Sequence, residues 1–300
     1  MSSGERRARV GELELCYETF GPDTLPPLLL VMGLGSQMVL WDDEFCQALA
    51  DRGFWVIRFD NRDVGRSTIL RGRPVPTRGQ LLRRDRRAAS YSLDDMADDA
   101  AGLLNQLDVR AGHVVGVSMG GMIAQLLAIR HPDRVQSLVS IMSSTGDRRV
   151  GRPHPRLYLR VLRRARTDRE GYVQDFVATF RAIGSRTYPS APARLRAIAE
   201  RCYERGIHPD GAARQLAAIL AAPDRTPRLR GLSVPTTVIH GDQDRLVTPS
   251  GGRATAAAIP GARLVIVPGM AHDMPPALWP RFIDEIAANT SRATAPATTS

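Results

Sequence analysis

The residues best suited to do chemistry are Gly116-Val117-Ser118-Met119-Gly120, followed by Gly121. They follow an apolar run, His113-Val114-Val115, and precede a helical pattern, Met122 to Leu127. G-x-S-x-G between a strand and a helix is the setting in which a sharp turn presents a serine as a nucleophile. The spacing predicts a positive φ at Ser118. It also predicts that a Cβ two residues to either side would collide with the neighbouring strand or helix, so both positions are Gly. The N-terminus of the following helix offers free N–H groups and partial positive charge to an oxyanion. Chance alone puts this five-residue pattern in a chain of such length about one time in ten. Its weight therefore comes from its flanks and from partners elsewhere.

A Ser hydroxyl needs a base to take its proton and a carboxylate to orient that base. Open α/β sheets carry their sites at the carboxyl ends of strands, so the partners are sought there, in the order Ser, acid, His. Of six His, His113 lies at the wrong end of its strand. His131 ends a helix, and His154 and His208 sit beside Pro in a helical stretch. His240 precedes the acid. His272, in Pro268-Gly269-Met270-Ala271-His272 after the last apolar run, fits the role of base. The acid lies in His240-Gly241-Asp242-Gln243-Asp244-Arg245-Leu246-Val247, where Asp242 and Asp244 both qualify and spacing does not separate them. One oxyanion donor is the N–H of Met119, and the other comes from the loop Gly33-Leu34-Gly35. That loop lacks the third Gly of a dinucleotide fingerprint. No metal or organic cofactor is implied.

The elements that must position these residues alternate through the first half of the chain. Arg9 to Thr19 reads as a hairpin, and Leu28 to Met32 and Trp55 to Phe59 as buried strands. Trp41 to Arg52 and Asp94 to Leu107 read as helices. The strand before Ser118, a helix ending at His131-Pro132 and a strand over Val135 to Ile141 follow. This alternation predicts an α/β fold with a mostly parallel sheet covered on both faces. Strand signals then stop. Helical patterns run over Leu157 to Ala165, Tyr172 to Ile183, Ala193 to Tyr203 and Gly211 to Leu220, the last behind an Asp210 N-cap. The sheet resumes with Thr236 to His240, a helix over Gly252 to Ala258, a strand over Leu264 to Val267 and a closing helix, Trp279 to Ala288. Residues 1–142 and 231–289 thus form a core, 143–230 a helical insertion, and 290–300 a disordered tail of Ala, Thr, Ser and Pro.

Three hundred residues, 43% hydrophobic, suffice for one large core with a lid. Three cysteines without metal spacing argue against a disulfide framework and for a reducing compartment. The polar, Arg-rich start carries no signal peptide, and no apolar run approaches a membrane span, which predicts a cytoplasmic protein. The net charge is +10, and every basic residue is Arg. The absence of Lys excludes P-loop chemistry and a Lys Schiff base. Arginine clusters at Arg71 to Arg87 and Arg148 to Arg169 read as solvated surface, because only 5% of the chain is aromatic and no nucleic-acid motif is present. Attraction to an anionic membrane surface or an acidic substrate stays open.

With these residues placed, the chain resembles the α/β-hydrolase superfamily over residues from about 10 to 289. Leu28 to Gly35, Asp60-Asn61-Arg62-Asp63-Val64-Gly65-Arg66-Ser67, the Ser118 turn, His240 to Val247 and His272 carry the resemblance. Within it the chain is similar to actinobacterial esterases of the aclacinomycin methylesterase and mycobacterial LipG types. The matching stretches are Met32 to Gln37, Asp94 to Ala100 and Pro249 to Ala254. The resemblance implies that Asp244 is the acid and Asp242 turn structure, that the N–H groups of Leu34 and Met119 bind the oxyanion, and that the helical insertion is a cap. Met32-Gly33 stands where many members have His-Gly, a change that bears on loop packing. The implied activity is hydrolysis of a lipophilic ester, methyl ester or thioester through an acyl-enzyme on Ser118. Perhydrolases, haloperoxidases and carbon–carbon bond hydrolases of the same fold are rivals, as is a non-catalytic ligand-binding protein.

Overall fold

A computed structural model describes residues 3–161 and 166–294. Among these residues there are eight strands, β1 (Arg6–Val10), β2 (Leu13–Phe20), β3 (Pro27–Val31), β4 (Trp55–Phe59), β5 (Gly112–Val117), β6 (Val135–Ile141), β7 (Thr236–Gly241) and β8 (Arg263–Val267). They form one sheet in the order β1-β2-β4-β3-β5-β6-β7-β8. The β1–β2 and β2–β4 pairs are antiparallel, and every later pair is parallel. The expected mostly parallel α/β sheet is therefore present. Its first hairpin starts at Arg6 rather than Arg9. Exposed arginines at Arg6, Arg7 and Arg9 of this edge strand hide its alternation, because only Ala8 and the half-buried Val10 pack against the core.

The helices of the first half are α1 (Asp43–Asp51), α2 (Arg78–Arg83), α3 (Leu93–Gln106) and α4 (Met119–Arg130). The second half holds α5 (Pro155–Val161), α6 (Arg169–Ile183), α7 (Pro192–Glu204), α8 (Pro209–Ala221), α9 (Thr226–Leu229), α10 (Pro249–Ala258) and α11 (Trp279–Thr294). Adjacent strand residues point to opposite faces, so β3 serves two cores. Leu28 and Leu30 pack with Phe45 and Leu49 of α1 and Phe282 and Ile286 of α11. Leu29 and Val31 pack with Leu103 and Leu104 of α3 and Ile123 and Leu127 of α4. These four β3 side chains are fully buried, each contributing roughly 1.5–3 kcal/mol of hydrophobic stabilisation. α4 is buried on nearly every side, from Met119 to Ala128, because it is apolar all round.

Helices α5 to α9 fill the chain between β6 and β7. The helix expected over Leu157 to Ala165 is seen as Pro155–Val161, and residues 162–165 lie outside the described residues. Asp210 is not the N-cap of α8. His208 is, Pro209 takes the first helical position, and Asp210 falls in the first turn. A Pro, lacking an N–H, suits that first position and sets the start. α2 lies outside the elements expected from the sequence. A capping box starts it, with Thr77 accepting from the Gln80 N–H and Gln80 accepting from the Thr77 N–H. At the C-terminal end, α11 runs to Thr294, so residues 290–294 of the expected disordered tail are helical, and 295–300 lie outside the described residues.

Candidate active site

β3 and β5 are neighbours, yet the chain leaves β3 towards β4 on one side and returns to β5 on the other. This reversal opens a crevice at the strands' carboxyl ends. The loop after β3 and the turn after β5 flank it. Val31 and Gly116 are register partners, so the next residues of both strands emerge side by side. A Cβ built on Gly33 would lie 3.3 Å from the Ser118 Cβ.

Ser118 has φ 56° and ψ −118° and forms the N-cap of α4. The positive φ is held because both flanking glycines are enforced by backbone. A Cβ on Gly116 would lie 2.1 Å from the Gly120 carbonyl oxygen, and one on Gly120 would lie 2.1 Å from the Val31 carbonyl oxygen. Such approaches are sterically forbidden, so the turn tolerates no side chain at either position. The Ser118 N–H donates to the Ile141 carbonyl at 2.9 Å, and the Ser143 hydroxyl donates to the Ser118 carbonyl at 2.8 Å.

At the far side of β6, β7 and β8 pair in parallel, with Gly241 opposite Val267. The loops bearing Asp244 and His272 therefore leave the same end together. His272 Nδ1 donates to Asp244 Oδ2 at 2.7 Å, and its Nε2 stands 3.0 Å from Ser118 Oγ. With the proton on Nδ1 fixed by the carboxylate, Nε2 is the acceptor facing the hydroxyl. Asp244 Oδ1 accepts from the N–H groups of Leu246 at 2.8 Å and Val247 at 2.9 Å. Burial opposes the charge on Asp244. The His272 charge and hydrogen bonds from His240 and His272 outweigh it and hold this carboxyl well below the usual carboxylate range. Asp242 is elsewhere engaged: exposed, it accepts from the Gly269 N–H at 2.7 Å. The pair that spacing left open is thus separated in space.

Leu34 and Met119 both line the cavity beside Ser118. Neither N–H donates to another backbone group among the described residues. Two side chains that sequence reasoning missed brace this region. Gln215 of α8 accepts from the Gly35 N–H at 2.8 Å and donates to the Arg62 carbonyl at 2.7 Å. Ser185, just after α6, accepts from the Ala271 N–H at 2.8 Å, and the His272 N–H donates to the Ile183 carbonyl at 2.9 Å. Helices between β6 and β7 therefore hold both the loop after β3 and the loop bearing His272. No sequence signal marks contacts so distant along the chain.

His240 is more than a strand end. Its Nε2 donates to the Val247 carbonyl at 2.7 Å and lies 3.4 Å from Asp244 Oδ2, so two imidazoles flank one carboxylate. The spacing of four residues across the end of β7 was the available signal. His113 lies at the other end of β5 and contacts the Ser137 hydroxyl at 2.9 Å.

The cavity above Ser118 measures about 1070 Å³. Apolar side chains dominate it, among them Met122, Met142, Phe180, Leu216, Leu220 and Met274. Among the described residues, no three His, Cys, Asp or Glu side chains converge on a point that could hold a metal ion. No helix among them is long and apolar enough to cross a membrane. The three cysteines are buried and unbonded to one another.

Known proteins place this architecture. The rhodomycin D methylesterase DauP of Streptomyces sp. (strain C5) is 30% identical over 306 residues, covering 94% of this chain and 97% of that protein. Its counterpart DnrP of Streptomyces peucetius is 29% identical over 304 residues, with the same coverage. Among solved structures, the enol-lactonase of Burkholderia xenovorans LB400 superposes with a TM-score of 0.75 at 25% identity, covering 95% of this chain and all of that one. The family model described as "alpha/beta hydrolase fold" matches residues 26–275. On its sequence, sheet order and relatives, the chain belongs to the alpha/beta hydrolase fold family.

Proposed function

We propose that the protein is a serine hydrolase of carboxylic esters, acting through an acyl-enzyme on Ser118. The observation that carries this reading is the unbroken hydrogen-bond path Ser118 Oγ–His272–Asp244 at the floor of the cavity. The relatives named as methylesterases support ester cleavage as its use.

In this mechanism Ser118 Oγ attacks the ester carbonyl while its proton passes to His272 Nε2. The carbonyl π electrons move onto oxygen, and the N–H groups of Leu34 and Met119 bind that oxyanion, helped by the α4 N-terminus. Asp244 stabilises the imidazolium and holds its tautomer. The tetrahedral intermediate collapses, the alcohol leaves with the proton from His272, and the acyl group remains on Ser118. His272 then takes a proton from water, whose oxygen attacks the acyl carbonyl. The acid leaves as Ser118 regains its proton.

Substrate choice belongs to the cavity walls. With residues 1–142 and 231–289 as core and 143–230 as cap, Phe180, Leu216 and Leu220 are cap residues that face Ser118 across the cavity. Two buried ion pairs support this division. Arg205, at the end of α7, pairs with Asp60 at 2.7 Å, and Arg214 of α8 pairs with Asp63 at 2.7 Å, both acids lying in the loop after β4. A volume of about 1070 Å³ with mainly apolar walls suits a large lipophilic acyl group, including the methyl ester of a polycyclic acid.

The test pairs a fluorophosphonate probe with a substrate panel. Wild-type protein labels at Ser118 and Ser118→Ala does not, and that variant loses about 10⁴-fold in turnover. Nitrophenyl esters of rising chain length, thioesters, phospholipids and polyketide methyl esters then rank the acyl preference. Activity of Ser118→Ala within tenfold of wild type, or no labelling of folded wild type, overturns the assignment.

A further inference from the structure

Only two large hydrophobic side chains among the described residues are exposed, Val75 at 41% and Leu82 at 54%. Both fall in the segment 71–87. That segment carries seven arginines and a single acid, Asp85, for a net charge of +6 out of the chain's +10. Arg71, Arg73, Arg78, Arg83, Arg86 and Arg87 are exposed. None of the six forms an ion pair among the described residues. Arginines that stabilise a fold are paired, as Arg205 and Arg214 are, and lone exposed apolar side chains are usually scattered. Here unpaired positive charge and exposed aliphatic surface coincide, and the coincidence is confined to one segment.

The segment is anchored, not loose. The Thr77–Gln80 capping box holds α2, and Leu81 packs into a cluster with Leu216 and Ala217 of α8. Leu82, one residue on, is turned out by the helical rotation. The same segment lines the cavity beside Ser118 through Val75, Pro76, Thr77, Arg78, Leu81 and Arg84. It contains no aromatic residue, so it offers nucleic-acid bases no stacking platform. Exposed aliphatic side chains that enter the acyl boundary, in the same segment as guanidinium groups that fork onto phosphodiesters, match an anionic bilayer.

We propose that residues 71–87 form a docking surface for an anionic phospholipid bilayer, seating one wall of the Ser118 cavity against the membrane. The proposal concerns the surface alone and does not depend on the ester reading, since docking is read by binding rather than by turnover.

Vesicle flotation tests it, with phosphatidylcholine vesicles compared with vesicles containing 30% phosphatidylglycerol. Wild type and Ser118→Ala float with the anionic vesicles, stay behind with the neutral ones, and are released at high salt. At about fivefold per basic residue near the surface, Arg83→Gln/Arg86→Gln/Arg87→Gln lowers partitioning about 100-fold. Leu82→Ser lowers it about tenfold. None of these four positions lines the cavity, and a circular-dichroism spectrum and thermal midpoint unchanged from wild type show that the variants are folded. Equal flotation with both vesicle types, no flotation, or full flotation of the triple variant overturns the proposal. So does binding of a single-stranded oligonucleotide without vesicle binding, which assigns the patch to nucleic acid.

Discussion

Replacing Asp244 by Asn separates electrostatic orientation from mere packing, because the structure dictates which way the new amide must face. Asp244 Oδ1 accepts two backbone N–H groups, from Leu246 and Val247. Oδ2 accepts from His272 Nδ1 at 2.7 Å and lies 3.4 Å from His240 Nε2. An Asn that turned its NH₂ towards the backbone pair would set donor against two donors in a site 2% exposed. Each such unsatisfied N–H costs about 1–3 kcal/mol. The carbonyl oxygen therefore stays on the backbone and the NH₂ faces His272. That donor selects the tautomer with its lone pair on Nδ1 and its proton on Nε2, the atom 3.0 Å from Ser118 Oγ. The base then holds a proton where it must accept one, and the imidazolium loses its counter-charge. A fall of about 10⁴ in kcat is expected, which is about 5.5 kcal/mol of transition-state stabilisation, with KM little changed. Asp242→Asn keeps an acceptor for the Gly269 N–H and stays within threefold of wild type. Steady-state nitrophenyl ester turnover, with the fluorophosphonate labelling rate as a check on the nucleophile, measures both. Asp244→Asn within tenfold of wild type, or an Asp242→Asn loss exceeding it, refutes the tautomer argument.

Three further outcomes follow from named contacts. Gln215→Ala removes the acceptor of the Gly35 N–H and the donor to the Arg62 carbonyl. The loop carrying the Leu34 N–H loosens, and kcat falls about tenfold while Tm drops by only a few degrees; an unchanged kcat removes Gln215 from the positioning of that loop. Arg214→Ala strands the fully buried Asp63 carboxylate, which Arg214 holds through Nε at 2.8 Å and Nη2 at 2.7 Å. A loss of about 3–5 kcal/mol by chemical denaturation is expected, and a loss under 1 kcal/mol contradicts the ion pair's place in the fold. His113, driven by burial down to about 4, binds its proton more weakly folded than unfolded. Its stabilising contribution is complete above the unfolded value near 6.5 and is lost as pH falls towards 4. Between pH 7 and pH 5 this removes about 2 kcal/mol, and denaturation of His113→Gln at the two pH values shows a gap smaller by that amount.

Much of the site is local, and local features are legible. The Ser118 turn is announced by residues within a dozen positions: an apolar strand, two glycines at fixed offsets and an apolar helix, although the backbone that forbids a side chain at Gly120 is that of Val31 in β3. Its backbone strain follows from them directly. His272 is legible for a related reason, since a loop after the last strand of a parallel sheet must open at the same end as the turn after β5. α2 carries its own start signal in Thr77 and Gln80, but a run of arginines masks it. The start of α8 lies two residues before the expected one because Asp210 competes with Pro209 as a boundary marker, and the missing N–H of Pro decides.

By itself, the sequence determined the strand–helix alternation, the strained serine and the order in which a carboxylate and an imidazole follow it, because hydrophobic period, glycine sterics and chain order are properties of short segments. Only the tertiary structure decided which of two carboxylates, two residues apart, meets the imidazole. The pairing of β7 with β8 brings Gly269 to Asp242 and His272 to Asp244, and no property of the turn alone distinguishes them. The same holds for Gln215, Ser185 and the walls of the cavity. Their partners lie some 90 to 180 residues away along the chain, and such contacts exist only once the sheet has set its strand order and the helices between β6 and β7 have closed over it.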